Sequence, residues 1–176
     1  MKRVAIVIGH GPKVDRGAVS QDNKVNELDW NTDLATKIAA ALAGKLDRSV
    51  VRRTSERLQP VTETNATNAD FAIELHLNST PGASGTEMIY HPSSEKGKTL
   101  ATLLQQAAVC ALGLPDRGVK PPWQGRGARW LSQTRMPAVI VESFFIDNPN
   151  DLAIGTARKQ ALAEAYADAL VKFATL

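Results

Sequence analysis

His10 follows the apolar run of residues 4–8 directly. Glu27 lies seven residues before Leu34, on the same face of an expected helix. His76 stands near the end of the alternating run 71–77, and Glu142 follows Val139-Ile140-Val141 and precedes Phe144-Phe145-Ile146. Ionisable side chains in such places are costly unless they are paired or bind a metal. Each has an ordinary reading too: a loop histidine in a Gly-rich turn, a first-turn glutamate favoured by the helix dipole, a histidine bonded to a backbone carbonyl, and a carboxylate paired with an arginine. Taken together they suggest more. His10, His76 and Glu142 all fall at or near the carboxyl ends of expected buried strands. If those strands are parallel, the three side chains gather on one sheet edge, where open α/β sheets bind ligands. Glu27 opens the helix after the first strand, so its first turn returns to that edge. Two imidazoles and a carboxylate are a ligand set for catalytic zinc with one position left for water. A further carboxylate beside that water suits a general base in metal-assisted hydrolysis. No short zinc motif of the His-Glu-x-x-His kind occurs, so local spacing alone leaves the ordinary readings open.

The elements that must position these groups alternate between strand-like and helix-like, which predicts an α/β layer architecture. Strands are expected at 4–8, 49–53, 71–77, 86–90 and 138–144. Helices are expected at 26–46, with Leu34, Ile38 and Leu42 on its apolar stripe, at 100–112, and at 157–173, with Leu162, Tyr166, Ala169, Leu170 and Phe173 facing inward. Residues 115–135, rich in Gly, Pro, Arg and Trp, read mainly as loop with short elements. The strands at 71–77 and 86–90 are joined only through Ser79–Gly85, too short for a parallel crossover. As neighbours they must be antiparallel, and the sheet is therefore mixed. Cys110, seven residues after Leu103, reads as a small core residue, and His91 as a surface or turn residue at the opposite edge.

Composition bounds the function. The 176 residues are 43% apolar and 22% charged, ordinary for one globular domain and unlike a disordered or fibrous chain. A single cysteine excludes an internal disulfide and any Cys-cluster metal site. No apolar run approaches the ~18 residues of a membrane span, so no stable membrane insertion is expected. The net charge of +3, from 21 basic and 18 acidic residues, is too small to argue for nucleic acid and suits a polyanion such as a bacterial wall. The absence of a Gly-x-Ser-x-Gly elbow weakens a serine hydrolase reading. The apolar stretch after Met1-Lys2-Arg3 is shorter than a signal-peptide core. The expectation is synthesis and retention in the cytoplasm.

The motifs match a family in order along almost the whole chain. Gly9-His10-Gly11, Gly17-Ala18 and Asn26-Glu27 resemble the opening of the zinc-dependent N-acetylmuramoyl-L-alanine amidases of type 3. Ala69-Asp70 with Glu74-Leu75-His76-Leu77-Asn78 is similar to that family's second metal motif, and Gly85-Thr86-Glu87 to its next strand. Arg117-Gly118-Val119-Lys120, Met136-Pro137-Ala138-Val139-Ile140-Val141-Glu142 and Asn148 resemble its closing signature. The resemblance implies a single catalytic domain over residues 1–176, with a mixed, mostly parallel six-stranded sheet flanked by helices. It implies one Zn2+ held by His10, Glu27 and His76, with Glu142 as the catalytic residue. It also implies peptidoglycan as the substrate, cut between N-acetylmuramic acid and L-alanine.

Three departures from the family pattern stand out. Residues 12–25 do not follow the usual Gly-rich spacing. Ser143 replaces a frequent glycine and is expected to narrow the floor of the site. The stretch 57–70 is too short for the inhibitory helix of some cell-division members, which predicts an enzyme without that plug. The loop 113–135 brings Arg117, Lys120, Arg126, Arg129, Trp123 and Trp130. With Asn78, Lys120 and Arg126 are expected to meet substrate, the cations facing stem-peptide carboxylates. A bare monomeric domain without a signal fits a phage or prophage endolysin that reaches the wall, in the periplasm, only when the membrane is breached. The alternatives are a bacterial wall amidase trimmed of its signal, another zinc peptidase acting on stem peptides, and a wall-binding module without catalysis.

Overall fold

Alternation in the strands and four-residue recurrence in the helices carry the architecture. In the computed structural model, which describes residues 1–11, 15–53, 60–122 and 127–176, the chain runs β1 (Arg3–Ile8), α1 (Glu27–Ala41), β2 (Asp47–Val51), α2 (Val61–Ala66), β3 (Phe71–Asn78) and β4 (Thr86–Tyr90). It continues with α3 (Glu95–Leu112), β5 (Asp116–Lys120), α4 (Ala128–Gln133), β6 (Ala138–Phe145), α5 (Pro149–Ala157) and α6 (Lys159–Ala174). The six strands form one sheet in the order β2-β1-β3-β6-β4-β5. β2, β1, β3 and β6 are mutually parallel, β4 pairs antiparallel with β6, and β5 runs parallel to β4. The mixed, mostly parallel α/β sheet is as expected. β3 and β4 do run in opposite directions, but β6 lies between them, so they are not neighbours.

One face of the sheet is dry. Val4, Ile6, Ile8, Phe71, Ile73, Leu75, Leu77, Val139 and Val141 pack against Leu34 and Ile38 of α1, Leu100, Leu104 and Ala108 of α3, and Leu162, Tyr166 and Leu170 of α6. Removing such side chains from water is the main stabilising term. The other face holds a smaller cluster of Ala5, Val7, Ala72, Ala138 and Ile140 under Trp130 and Leu131 of α4. The Trp130 indole N–H reaches the Thr64 hydroxyl of α2 at 3.3 Å, which ties the two short helices together. Toward the carboxyl ends of the parallel strands that cover stops.

Local signals explain the helix boundaries. Asn26 caps α1, its side chain accepting the Asp29 N–H, and Glu27 and Asp29 lie in the first turn. Ser94 caps α3, which starts five residues earlier than expected, and Gly113 ends it in a left-handed conformation at φ 68°. The buried stripe of α3 is Leu100, Leu104, Ala108 and Leu112, so Cys110 is exposed and not a core residue. The closing segment is two helices, with Asn148 capping α5 and Pro149 in its first turn. His91 follows β4 at the edge opposite the parallel strands' carboxyl ends, with its Nδ1 at 2.8 Å from the Ser93 hydroxyl.

The pairing of β3 with β6 contains a bulge. His76 is opposite Glu142, but Asn78 is opposite Phe145, a shift of one residue. Ser143 and Phe144 both turn to the helical side: the Ser143 hydroxyl lies 3.1 Å from the Tyr166 hydroxyl of α6, and Phe144 joins the larger core. Ser143 therefore does not narrow the floor of the site, contrary to expectation.

Candidate metal centre and active site

β1 delivers His10 just beyond its last residue, on a backbone at φ 65°. That left-handed region is uncommon for a residue with a side chain and marks a functional constraint when the surroundings enforce it. Here Gly9 N–H bonds the Leu75 carbonyl of β3 and Gly11 bonds Asp15 through both its N–H and its carbonyl. β3 delivers His76, whose ring lies against Gly9 so closely that a Cβ there would overlap it. A Cβ on Gly17, itself at φ 77°, would overlap Glu27 and His10. The two glycines keep open the space in which three side chains converge.

Glu27, at the start of α1, is the centre of that group. Its Oε2 is 3.1 Å from His10 Nε2 and its Oε1 is 3.0 Å from His76 Nδ1, with its side chain only 3% exposed. Its carboxylate also accepts backbone N–H bonds from Ala18 and Leu77. One ligand atom from each of His10, Glu27 and His76 lies within 4.8 Å of the others. Burial alone would push the Glu27 carboxyl up, but hydrogen bonds from both imidazoles override it and hold it far below the usual carboxylate range. Burial alone would lower the two imidazoles, yet Glu27 raises His10, and Glu27 and Glu74 raise His76 well above the ordinary value. Two imidazole nitrogens and a carboxylate, preformed around the buried Glu27, fit a zinc ion by chemistry and by arrangement.

Glu142 on β6 is the register partner of His76 on one side and of Glu87 of β4 on the other. It lines a cleft of about 310 Å³ together with His10, Glu74, His76, Glu87 and Lys120. The geometry thus brings together the four residues singled out from the sequence.

The groove side is partly as expected. Asn78 and Lys120 line the cleft, but they are not independent. The Asn78 amide donates to Glu87 Oε1 at 2.9 Å, while Arg117 Nε and Lys120 Nζ donate to Oε2 at 2.7 and 2.9 Å. Burial pushes the Glu87 carboxyl up, and the two cations outweigh it and lower it. Arg117 also lies over the Phe145 ring at 4.9 Å. Arg126 and Trp123 lie outside the described residues. Trp130 is fully buried beneath the sheet, and α2 contributes nothing to the cleft lining among the described residues. Three cleft or site carboxylates were not anticipated. Asp15 lies 3.0 Å from His10 Nδ1, Glu74 lies 3.6 Å from His76 Nε2, and Glu87 anchors the cations. Glu74 and Glu87 carried a legible signal, a charge on the non-apolar face of a short buried strand.

Comparison with known proteins agrees with this fold. A family model described as N-acetylmuramoyl-L-alanine amidase matches residues 4–172. The chain is 30% identical over 164 residues to the endolysin of Bacillus phage SPP1, covering 87% of the chain and 58% of that protein. It is 27% identical to the N-acetylmuramoyl-L-alanine amidase CwlM of Bacillus licheniformis, over 98% of the chain and 68% of the relative. The crystal structure of an N-acetylmuramoyl-L-alanine amidase from Clostridium difficile 630 superposes with a TM-score of 0.84 at 26% identity, covering 99% of this chain and 97% of the other. The chain thus spans little more than half of the phage protein.

Proposed function

The chain belongs to the N-acetylmuramoyl-L-alanine amidase family, and on that premise we propose that residues 1–176 form one catalytic domain that hydrolyses the amide between N-acetylmuramic acid and L-alanine in peptidoglycan. The observation that carries this reading is the convergence of His10, Glu27 and His76 within 4.8 Å on a cleft that Glu142 also lines. His10 Nε2, His76 Nδ1 and the Glu27 carboxylate would hold a zinc ion. When bound, the ion would supply Lewis acidity toward the scissile carbonyl and acidify water.

The chain's own groups do the rest. Glu142 accepts a proton from the attacking water as its oxygen bonds the lactyl carbonyl carbon. It returns that proton to the alanine nitrogen as the C–N bond breaks, so acid and base work fall to one carboxylate. The Arg117–Glu87–Lys120 cluster lines the side of the cleft. One carboxylate neutralises one of its two cations and leaves one positive charge for a substrate carboxylate. Asn78 holds Glu87 in place. The net positive charge suits a polyanionic wall polymer, and no described helix is long and apolar enough to cross a membrane.

Incubating the zinc-loaded protein with purified sacculi and weighing the soluble fragments tests the reaction. Intact stem peptides with a free alanine amino group are expected, and fragments cut within the stem would overturn it. Within this activity we assign a lytic, endolysin role, supported by the likeness to the SPP1 endolysin. The likeness to CwlM supports the rival, a bacterial wall enzyme. Added to permeabilised cells, the protein should clear them rapidly. Export to the wall by its native host would decide for the rival.

A further inference from the structure

The carboxylate of Glu74 is an odd occupant of β3. Its side chain is 4% exposed, it lies on a strand whose neighbours β1 and β6 place Val7 and Ile140 beside it, and it takes no part in the proton transfers above. Burying a carboxylate in such company is costly unless it has a partner. The partner it faces is His76: Glu74 Oε2 lies 3.6 Å from Nε2, while Nδ1 of the same ring lies 3.0 Å from Glu27. The ring is therefore spanned by two carboxylates, one at each nitrogen. His10 shows the same arrangement with the nitrogens exchanged, Nε2 toward Glu27 and Nδ1 toward Asp15 at 3.0 Å.

We propose that Glu74 is a positioning residue that orients His76 for metal binding by accepting its Nε2–H. The inference rests on the metal reading given above. A flip of the ring would exchange Nδ1 with Cδ2 and turn the donor away from Glu27. It would also exchange Nε2 with Cε1 and remove the attraction to Glu74. Keeping the proton on Nε2 leaves the Nδ1 lone pair free, and a carboxylate behind a ligating imidazole raises its basicity as a ligand. Gly9, whose backbone abuts the ring, restrains its face, and His10 meets it edge-on with ring centroids 5.1 Å apart. Only the two edge nitrogens remain to be fixed, and a carboxylate stands at each.

The test measures zinc affinity of the whole chain by competition with a chromogenic chelator, for the wild type, E74A, E74Q and H76A. Nitrogen-detected spectra of the zinc-loaded proteins follow the Nε2–H of His76 and the rate at which it exchanges with water. E74A is expected to weaken zinc by about ten- to hundredfold and to speed exchange of the His76 Nε2–H. E74Q keeps an acceptor oxygen and should fall between E74A and the wild type. Wild-type affinity or unchanged Nε2–H exchange in E74A, while H76A loses zinc, would overturn the role of Glu74 and leave the metal site standing. Undiminished zinc binding by H76A would instead overturn the metal reading. Should E74A not fold, E74Q decides: an exchange rate and affinity equal to the wild type in that variant would also defeat the proposal.

Discussion

The two faces of β3 differ in kind. Phe71, Ile73, Leu75 and Leu77 point into the helical layer and are almost wholly removed from water. Ala72, Glu74, His76 and Asn78 point the other way, where α4 covers only the first of them and the rest border the cleft. β6 repeats the division, with Val139 and Val141 inward and Glu142 toward the cleft. The dry face stabilises the strands, and the stabilised strands hold a buried carboxylate and two imidazoles in one place without help from the covering layer. Function and stability are thus assigned to alternate residues of the same strand, so single substitutions should separate them.

The sharpest separation is expected at Glu142. Glu142→Gln should lower wall release by about two to four orders of magnitude while zinc stoichiometry and thermal midpoint stay near wild type, measured by sacculus turbidity, elemental analysis and calorimetry. Retained activity would break the division of labour. Its mirror is Ile73→Ala on the dry face. That change should cost about 2–5 kcal/mol in denaturant unfolding and leave turnover per folded molecule unaltered. Removal of metal comes next. Chelation should lower the thermal midpoint of the wild type, because a ligand bound only by the folded state stabilises it, and should leave that of His10→Ala unmoved.

A smaller effect distinguishes the cation cluster. The Glu87 carboxyl is held below its ordinary value of about 4.5, so its contribution to stability is complete above that value and is lost as pH falls through the lowered one. Glu87→Gln should therefore reduce stability near neutrality and flatten the acid side of the stability–pH curve. A curve parallel to that of the wild type would show that the cluster does not stabilise the fold. The smallest effect belongs to the far side of α3, where Cys110→Ser should change unfolding free energy by less than ~0.5 kcal/mol.

What could be read from the sequence follows the same division. β1, β3 and β6 were legible because buried strands are rich in branched apolar residues, and the site residues were legible as interruptions of that pattern. β5 was not, because Asp116-Arg117-Gly118-Val119-Lys120 is an edge strand with no buried face of its own. Strand order also escaped, since nothing local announces that β6 inserts between β3 and β4. Cys110 was misplaced because two stripes one residue apart fit the same helix, and only packing chooses the one through Leu104 and Ala108. α5 went unanticipated, although Asn148-Pro149, a cap and an N-terminal proline, marks its start. Glu74 was in view as a neighbour of His76, but a partner across space cannot be read from a single strand.

The extra residue in β6 has a bearing on how this scaffold tolerates change. Ahead of Ser143–Phe144 the even-numbered side chains meet the cleft, and after it the odd-numbered Phe145 does. Loss of one residue at that point would restore a regular ladder and keep Phe145 toward the cleft, but it would take from the helical layer either Ser143, hydrogen-bonded to Tyr166, or Phe144, which packs in the larger core. Gain or loss of length is therefore best borne in the connections on the strands' amino-terminal side, and an engineer grafting a wall-targeting module should place the junction there.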